Sequence, residues 1–98
     1  MKVIICGIVY TVEHVPVIDE GVEGIVQGQI HYSQGKILIK DGLPKQIEEE
    51  VLMHEMIHGI LNHIGKSELA EDETFVQGLA NGIYNSSLIF YSLGGKRK

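Results

Sequence analysis

His54, Glu55 and His58 stand in the run His-Glu-Met-Ile-His, near the middle of a segment whose apolar residues recur at helical spacing. Histidines four apart on a helix lie one above the other, so both imidazoles can reach one metal ion. The intervening Glu55 is then placed to take a proton from a metal-bound water. That is the arrangement of a zinc hydrolase. Zinc lowers the pKa of its water to about 7, the glutamate accepts the proton, the hydroxide attacks a peptide carbonyl polarised by the metal, and the glutamate returns the proton to the leaving amine.

Two histidines are not a complete catalytic site, because such a zinc usually has three protein ligands plus water. His63, five residues after His58, falls on the other side of the same helix. An extension of the motif by glycine and histidine at metzincin spacing is excluded, since Leu61 and Ile64 hold those positions. The acidic run Glu71-Asp72-Glu73 is the better source, because it opens a second helix that can pack antiparallel to the first. On a helical wheel Asp72 and Glu73 lie on or near the apolar face and Glu71 well off it, which ranks Glu73 first, Asp72 second and Glu71 third. Gln77, one turn after Glu73, is placed to hydrogen-bond a ligand from behind. For an oxyanion helper, Tyr32, His31 and Tyr84 qualify by residue type alone.

The elements that must position these residues can be read from periodicity. Val3 to Ile5 and Val9 to Val15 are rich in β-favouring types, giving two strands or one strand bent at Gly7, and Pro16 ends the run. Asp19, Glu20, Gly21, Glu23 and Gly24 form a polar loop. Ile25 to Tyr32 resumes an extended pattern, Ser33-Gln34-Gly35 is a turn signal, and Lys36 to Lys40 closes a hairpin. An antiparallel sheet is the expectation. Helix follows over residues 44–64, with Pro44 in its first turn, Glu48, Glu49 and Glu50 near its positive end, and Met53, Met56, Ile57, Ile60, Leu61 and Ile64 as its apolar stripe. The histidines border that stripe, and Glu55 lies further round toward the open side. Gly65 stops the helix and Ser67 is a candidate cap for the next one. The second helix is expected over residues 71–91, interrupted near Asn85-Ser86-Ser87, with Phe75, Val76, Leu79, Ala80, Ile83 and Tyr84 buried.

Together these elements predict an α+β fold: three to four strands in a small antiparallel sheet packed against two main helices, minimal and zincin-like. The expected organisation is one domain over residues 1–93, β-rich over 1–40, with 94–98 as a basic flexible tail ending in Lys96, Arg97 and Lys98. With 44% hydrophobic residues, six aromatics and no tryptophan, the composition suits a compact aliphatic core. A net charge of −5 argues against general nucleic-acid or membrane-surface binding. Cys6 is the single cysteine, so neither an internal disulfide nor a multi-cysteine metal site can form, and it reads as a small core residue. No signal-peptide pattern and no apolar run of the roughly 18 residues needed for a membrane span is present. A cytoplasmic location is expected, including a host cytoplasm if the gene is a passenger. Nothing in the pattern specifies an oligomeric state.

His-Glu-Met-Ile-His preceded by Val51-Leu52-Met53 and followed by Gly59, then an acidic patch leading into Phe75-Val-Gln-Gly-Leu-Ala-Asn-Gly-Ile-Tyr84, resembles the minimal gluzincin-like metallopeptidase domains of the ImmA/IrrE type. The resemblance is closest to short versions carried by phages and mobile elements, and it spans about residues 43–84. It implies that His54, His58 and Glu73 bind Zn2+, that Glu55 is the general base, and that the substrate is a peptide or protein. The chain departs from that type in having no convincing helix before the sheet, which leaves little wall for a substrate cleft. A second class of function therefore stands beside the peptidase: a weakly active or inactive zinc-stabilised module that binds a protein partner. If a peptide docks, the edge of the strand at residues 36–40 is the expected place, since a sheet edge gives register without sequence specificity.

Overall fold

The computed structural model of the chain describes residues 1–18 and 26–94, with side chains described as far as residue 86. The polar loop at Asp19 to Gly24 and the tail at Lys96 to Lys98 lie outside the described residues. The chain opens with a hairpin of β1 (Lys2–Ile5) and β2 (Ile8–Val15). Ile5 pairs with Ile8 across a two-residue loop in which Cys6 and Gly7 have φ of 51° and 83°. Two positive φ values in succession define the type I′ turn, whose twist matches that of the strands it joins. Cys6 is thus exposed at a turn, contrary to its expected place in the core.

The next hairpin is β3 (Gly28–His31) and β4 (Lys36–Lys40), joined by a turn that includes Gly35 at φ 63°. Both hairpins are antiparallel, as their short loops require. The sheet order is β1-β2-β4-β3, and its central pair, β2 with β4, is parallel. The fold is therefore α+β with a small mixed sheet, and the expectation of an antiparallel sheet throughout is corrected at that pair. The cause is non-local: β4 reaches β2 only after the chain has gone round β3, a connection long enough for either direction, and no turn chemistry reports it. The same order puts β4 inside the sheet, so its edges cannot receive a peptide. The edge strands are β1 and β3, and β3 is the one that passes over Glu55.

The helices are α1 (Lys45–His63), a single turn α2 (Ser67–Ala70), and α3 (Glu73–Gly94). Pro44 caps α1 from outside, its carbonyl accepting the Glu48 N–H at 2.9 Å. The helix ends at Gly65, whose φ of 85° lets the Lys66 N–H reach the Leu61 carbonyl at 2.8 Å and its own N–H reach Asn62 at 3.2 Å. That pair of bonds is the Schellman stop. Ser67 is the first residue of α2 and makes no side-chain cap. The cap of α3 is Asp72, whose Oδ1 accepts the Phe75 N–H at 3.1 Å. No break occurs at residues 85–87, where α3 continues.

α1 lies between two apolar clusters. On one side Ile5, Tyr10, Val12, Ile37 and Ile39 of the sheet are buried against Val51, Leu52, Met56 and Ile60. On the other, Ile57 and Leu61 pack with Ala70, Val76 and Ala80 of α2 and α3. Each fully buried aliphatic side chain contributes about 1.5–3 kcal/mol, so α1 is held from both sides by the terms that dominate folding. Gly59 allows the close approach: a Cβ there would stand 2.9 Å from Ile5 Cδ1 and 3.1 Å from Ile30 Cδ1. On α3 only part of the expected stripe is covered. Val76 and Ala80 are 0% and 1% exposed, whereas Phe75, Leu79 and Ile83 are 38–40% exposed. Ile64, expected in the α1 stripe, is likewise exposed beyond the helix end. Among the described residues no helix is long and apolar enough to cross a membrane.

Candidate metal centre

Contacts between α1 and α3 fix their relative direction. Glu73 and Gln77 at the start of α3 meet His58 and His54, and Tyr84, further along, donates to Glu49 Oε1 at 2.8 Å. The helices therefore run antiparallel, and the first turn of α3 is brought beside the motif. His54 Nε2 stands 3.0 Å from Glu73 Oε1 and 3.2 Å from His58 Nε2, and His58 Nε2 is 3.3 Å from Glu73 Oε2. One ligand atom from each of the three residues lies within 4.8 Å of the others. Zinc bonds of 2.0–2.1 Å in a tetrahedron put neighbouring donors about 3.3 Å apart. The observed separations are close to that spacing.

The hydrogen-bond pattern behind the cluster decides what it presents. Gln77 Nε2 donates to Asn81 Oδ1 at 2.9 Å, which turns its carbonyl oxygen toward His54 Nδ1, 2.8 Å away. Nδ1 then donates to Gln77, which leaves Nε2 as the atom presented to Glu73. A neutral imidazole lone pair against a carboxylate oxygen is repulsive unless a cation or a proton lies between them. Two imidazoles and one carboxylate are a donor set suited to zinc. The His54 and His58 side chains are 17% and 14% exposed and that of Glu73 is 68% exposed, so the cluster is walled by α1 and open on the α3 side.

Of the three acidic candidates, Glu73 is the one in the cluster, while Asp72 is occupied in capping α3. Gln77 stands behind His54 as its position one turn after Glu73 suggested. Removing such a partner typically costs 10–100-fold in metal affinity. Gln77→Ala is therefore expected to weaken zinc binding by about that factor in competition titrations against a chromophoric chelator, with the far-ultraviolet spectrum unchanged.

Glu55 is 7% exposed and not on an open side. It lies beneath β3, where Gly28 passes so close that a Cβ would stand 3.2 Å from Glu55 Oε2 and 2.5 Å from Val51 Cγ1. β3 and α1 run alongside each other from this point: Ile30 meets Gly59, and the Tyr32 ring meets the His63 ring edge-on at 6.4 Å. Gly28→Ala is expected to cost about 1–3 kcal/mol of stability, read by urea unfolding, because Val51 is a stiff β-branched neighbour on a helix and cannot yield.

The remaining histidines are engaged elsewhere. His63 Nε2 is 2.9 Å from the hydroxyl of the buried Tyr10, tying the end of α1 to the sheet. His14 contacts Glu48, and His31 contacts Gln29 on the sheet face opposite the helices. Tyr84 is bound to Glu49, which raises its own pKa and lowers that of the carboxylate. Tyr32 is the aromatic candidate on the Glu55 side. Burial first, then the charge of Glu55, push its phenol above the usual tyrosine value, which keeps it a protonated donor.

A cleft of about 310 Å³ begins at His54 and Glu55 and runs along α1 past Val51, Glu50 and Ile47, with Gly28 of β3 opposite. Sequence reasoning missed these walls. The α1 residues were recoverable, because they lie three, four and seven positions before His54. Gly28 gave no local signal.

The fold and the cluster define a class: a small α+β domain with a zincin-like His/His/Glu metal-binding triad, suited to a metal-dependent active site. Comparison with protein families, with curated proteins and with solved structures gives no match that would narrow the class.

Proposed function

We propose that this chain is a minimal gluzincin-like metallopeptidase of the ImmA/IrrE type, in which His54, His58 and Glu73 hold zinc, Glu55 is the general base, and the substrate is a peptide or protein. The observation that carries this reading is the convergence of one donor atom each from His54, His58 and Glu73, one helix face away from a buried glutamate at the head of a cleft. Zinc bound there would supply Lewis acidity, making water acidic near neutral pH and polarising a peptide carbonyl.

The chain's own residues do the rest. Gln77 holds the His54 ring so that Nε2 faces Glu73 and His58, with which it would hold the metal. Glu55, screened from bulk water by β3, accepts a proton from the attacking water on its carboxylate and delivers it to the leaving nitrogen. Among the described strands β3 ends the sheet order on the side of the cleft, and the extended peptide is placed beside it, the role first expected of the strand at residues 36–40. Tyr32 remains protonated and can donate a hydrogen bond.

The test joins metal content to activity. Protein purified without chelator is expected to carry one zinc per chain by elemental analysis and to cleave an unstructured protein such as casein. Cleavage should stop on chelation and return with zinc. Zinc-loaded protein that leaves a broad panel of peptides intact would overturn the hydrolase reading and leave the zinc-stabilised binding module.

A further inference from the structure

Glu48, Glu49 and Glu50 open α1 as three successive carboxylates, and the fold treats them differently. Glu48 is contacted by His14 from β2. Glu49 receives Lys45 Nζ at 3.0 Å and the Tyr84 hydroxyl at 2.8 Å. Glu50 makes no ion pair among the described residues, although it is half-buried and lines the cleft that leads from His54. Among the described residues no lysine or arginine lines that cleft. Gln27 and Gln77 also line it, and the Gln77 carboxamide is already committed to His54 and Asn81.

The surroundings have the shape of a site for a long basic side chain. Ile47, Glu50, Val51 and His54 form one row on α1, at three- and four-residue spacing. From His54 to Glu50 is about 6 Å along the helix axis, comparable to the reach of an extended lysine. Ile47 and Val51 offer apolar surface to the methylene stem and Glu50 a carboxylate to the head group.

Resting on the peptidase reading of the site, we infer that Glu50 makes this cleft selective for substrates with a lysine or arginine beside the reacting bond. An acidic side chain in the same place meets the Glu50 carboxylate, so discrimination comes from repulsion as well as attraction.

The test uses two matched fluorescent peptide pools that differ only in carrying Lys or Glu at the positions flanking the cleavable bond. Zinc-loaded wild-type protein is expected to favour the Lys pool in kcat/KM by about tenfold or more, a preference that shrinks as salt is raised. Glu50→Gln should remove most of that preference, and Glu50→Lys should invert it. Binding of the same pools to the Glu55→Gln protein, read by anisotropy with zinc present, should show the same order without hydrolysis. If no pool is cleaved but the Lys pool binds Glu55→Gln better, and Glu50→Gln in that background erases the difference, charge selection stands and the hydrolase reading falls. Equal binding of the two pools, or a preference that Glu50→Gln leaves intact, overturns the assignment of Glu50.

Discussion

Glu55→Gln is expected to keep one zinc per chain and to lower kcat by about 10²–10⁴-fold, the usual contribution of a positioned general base. The carboxamide has nearly the volume of the carboxylate it replaces, which matters because Glu55 is 7% exposed and packed under Gly28. No cavity or clash is introduced, so thermal unfolding should change little. The triad donors lie on His54, His58 and Glu73, so metal content should not follow the loss of activity. Elemental analysis and peptide cleavage on one preparation separate the outcomes. Activity within a few-fold of wild type would remove Glu55 from the mechanism. Loss of zinc would make it part of the metal site. A zinc-stabilised binding module predicts no change in either measurement.

The second large effect concerns stability. A metal that binds the folded chain and not the unfolded one stabilises it by RT ln(1 + [L]/Kd), about 2.7 kcal/mol at a free concentration one hundred times Kd. For a domain of this size each kcal/mol moves Tm by roughly 4–8 °C, so zinc is expected to raise the wild-type Tm by roughly 10–20 °C over the chelated protein. His54→Ala combined with His58→Ala should abolish that zinc-dependent shift. Both side chains are mostly covered, so the double variant also loses some packing between α1 and α3, and its chelated Tm should lie slightly below that of chelated wild type. The readout is the difference between zinc and chelator within each protein, which cancels the packing loss. A wild-type Tm indifferent to zinc would count against the metal site itself. A double variant that still responds would place the metal elsewhere.

Local chemistry made much of this legible. The spacing of His54 and His58 is a property of one helix, and that helix was readable from its apolar recurrence and its stop at Gly65. The hairpin of β3 and β4 was readable because a short loop dictates antiparallel pairing, whereas the sequence left the first segment as two strands or one strand bent at Gly7. The acidic patch was narrowed by a helical wheel because Glu73 and Gln77 share a row. Where the reading failed, it assumed that apolar residues are buried. Phe75, Leu79 and Ile83 stay partly exposed, because α1 has one face to offer α3 and Val76 and Ala80 occupy it. Cys6 was misplaced for a related reason, since its position in a turn depends on the register of β1 with β2 and not on residue type.

The motif with which the chain announces itself is thus a matter of sequence alone: two imidazoles and a carboxylate on adjacent faces of one helix, with a proline at its start and a glycine after it. The tertiary structure decided everything that depends on a second element. It chose Glu73 by packing α3 antiparallel to α1, and it made His54 Nε2 the available donor by setting Gln77 behind the ring. By routing the chain around β3 it placed Gly28 over Glu55, burying a glutamate that helical periodicity assigned to the open side. Sequence spacing reports which residues share a helix face. It does not report what covers that face, because the covering strand is brought there by a non-local pairing, β2 with β4, that no short-range signal encodes.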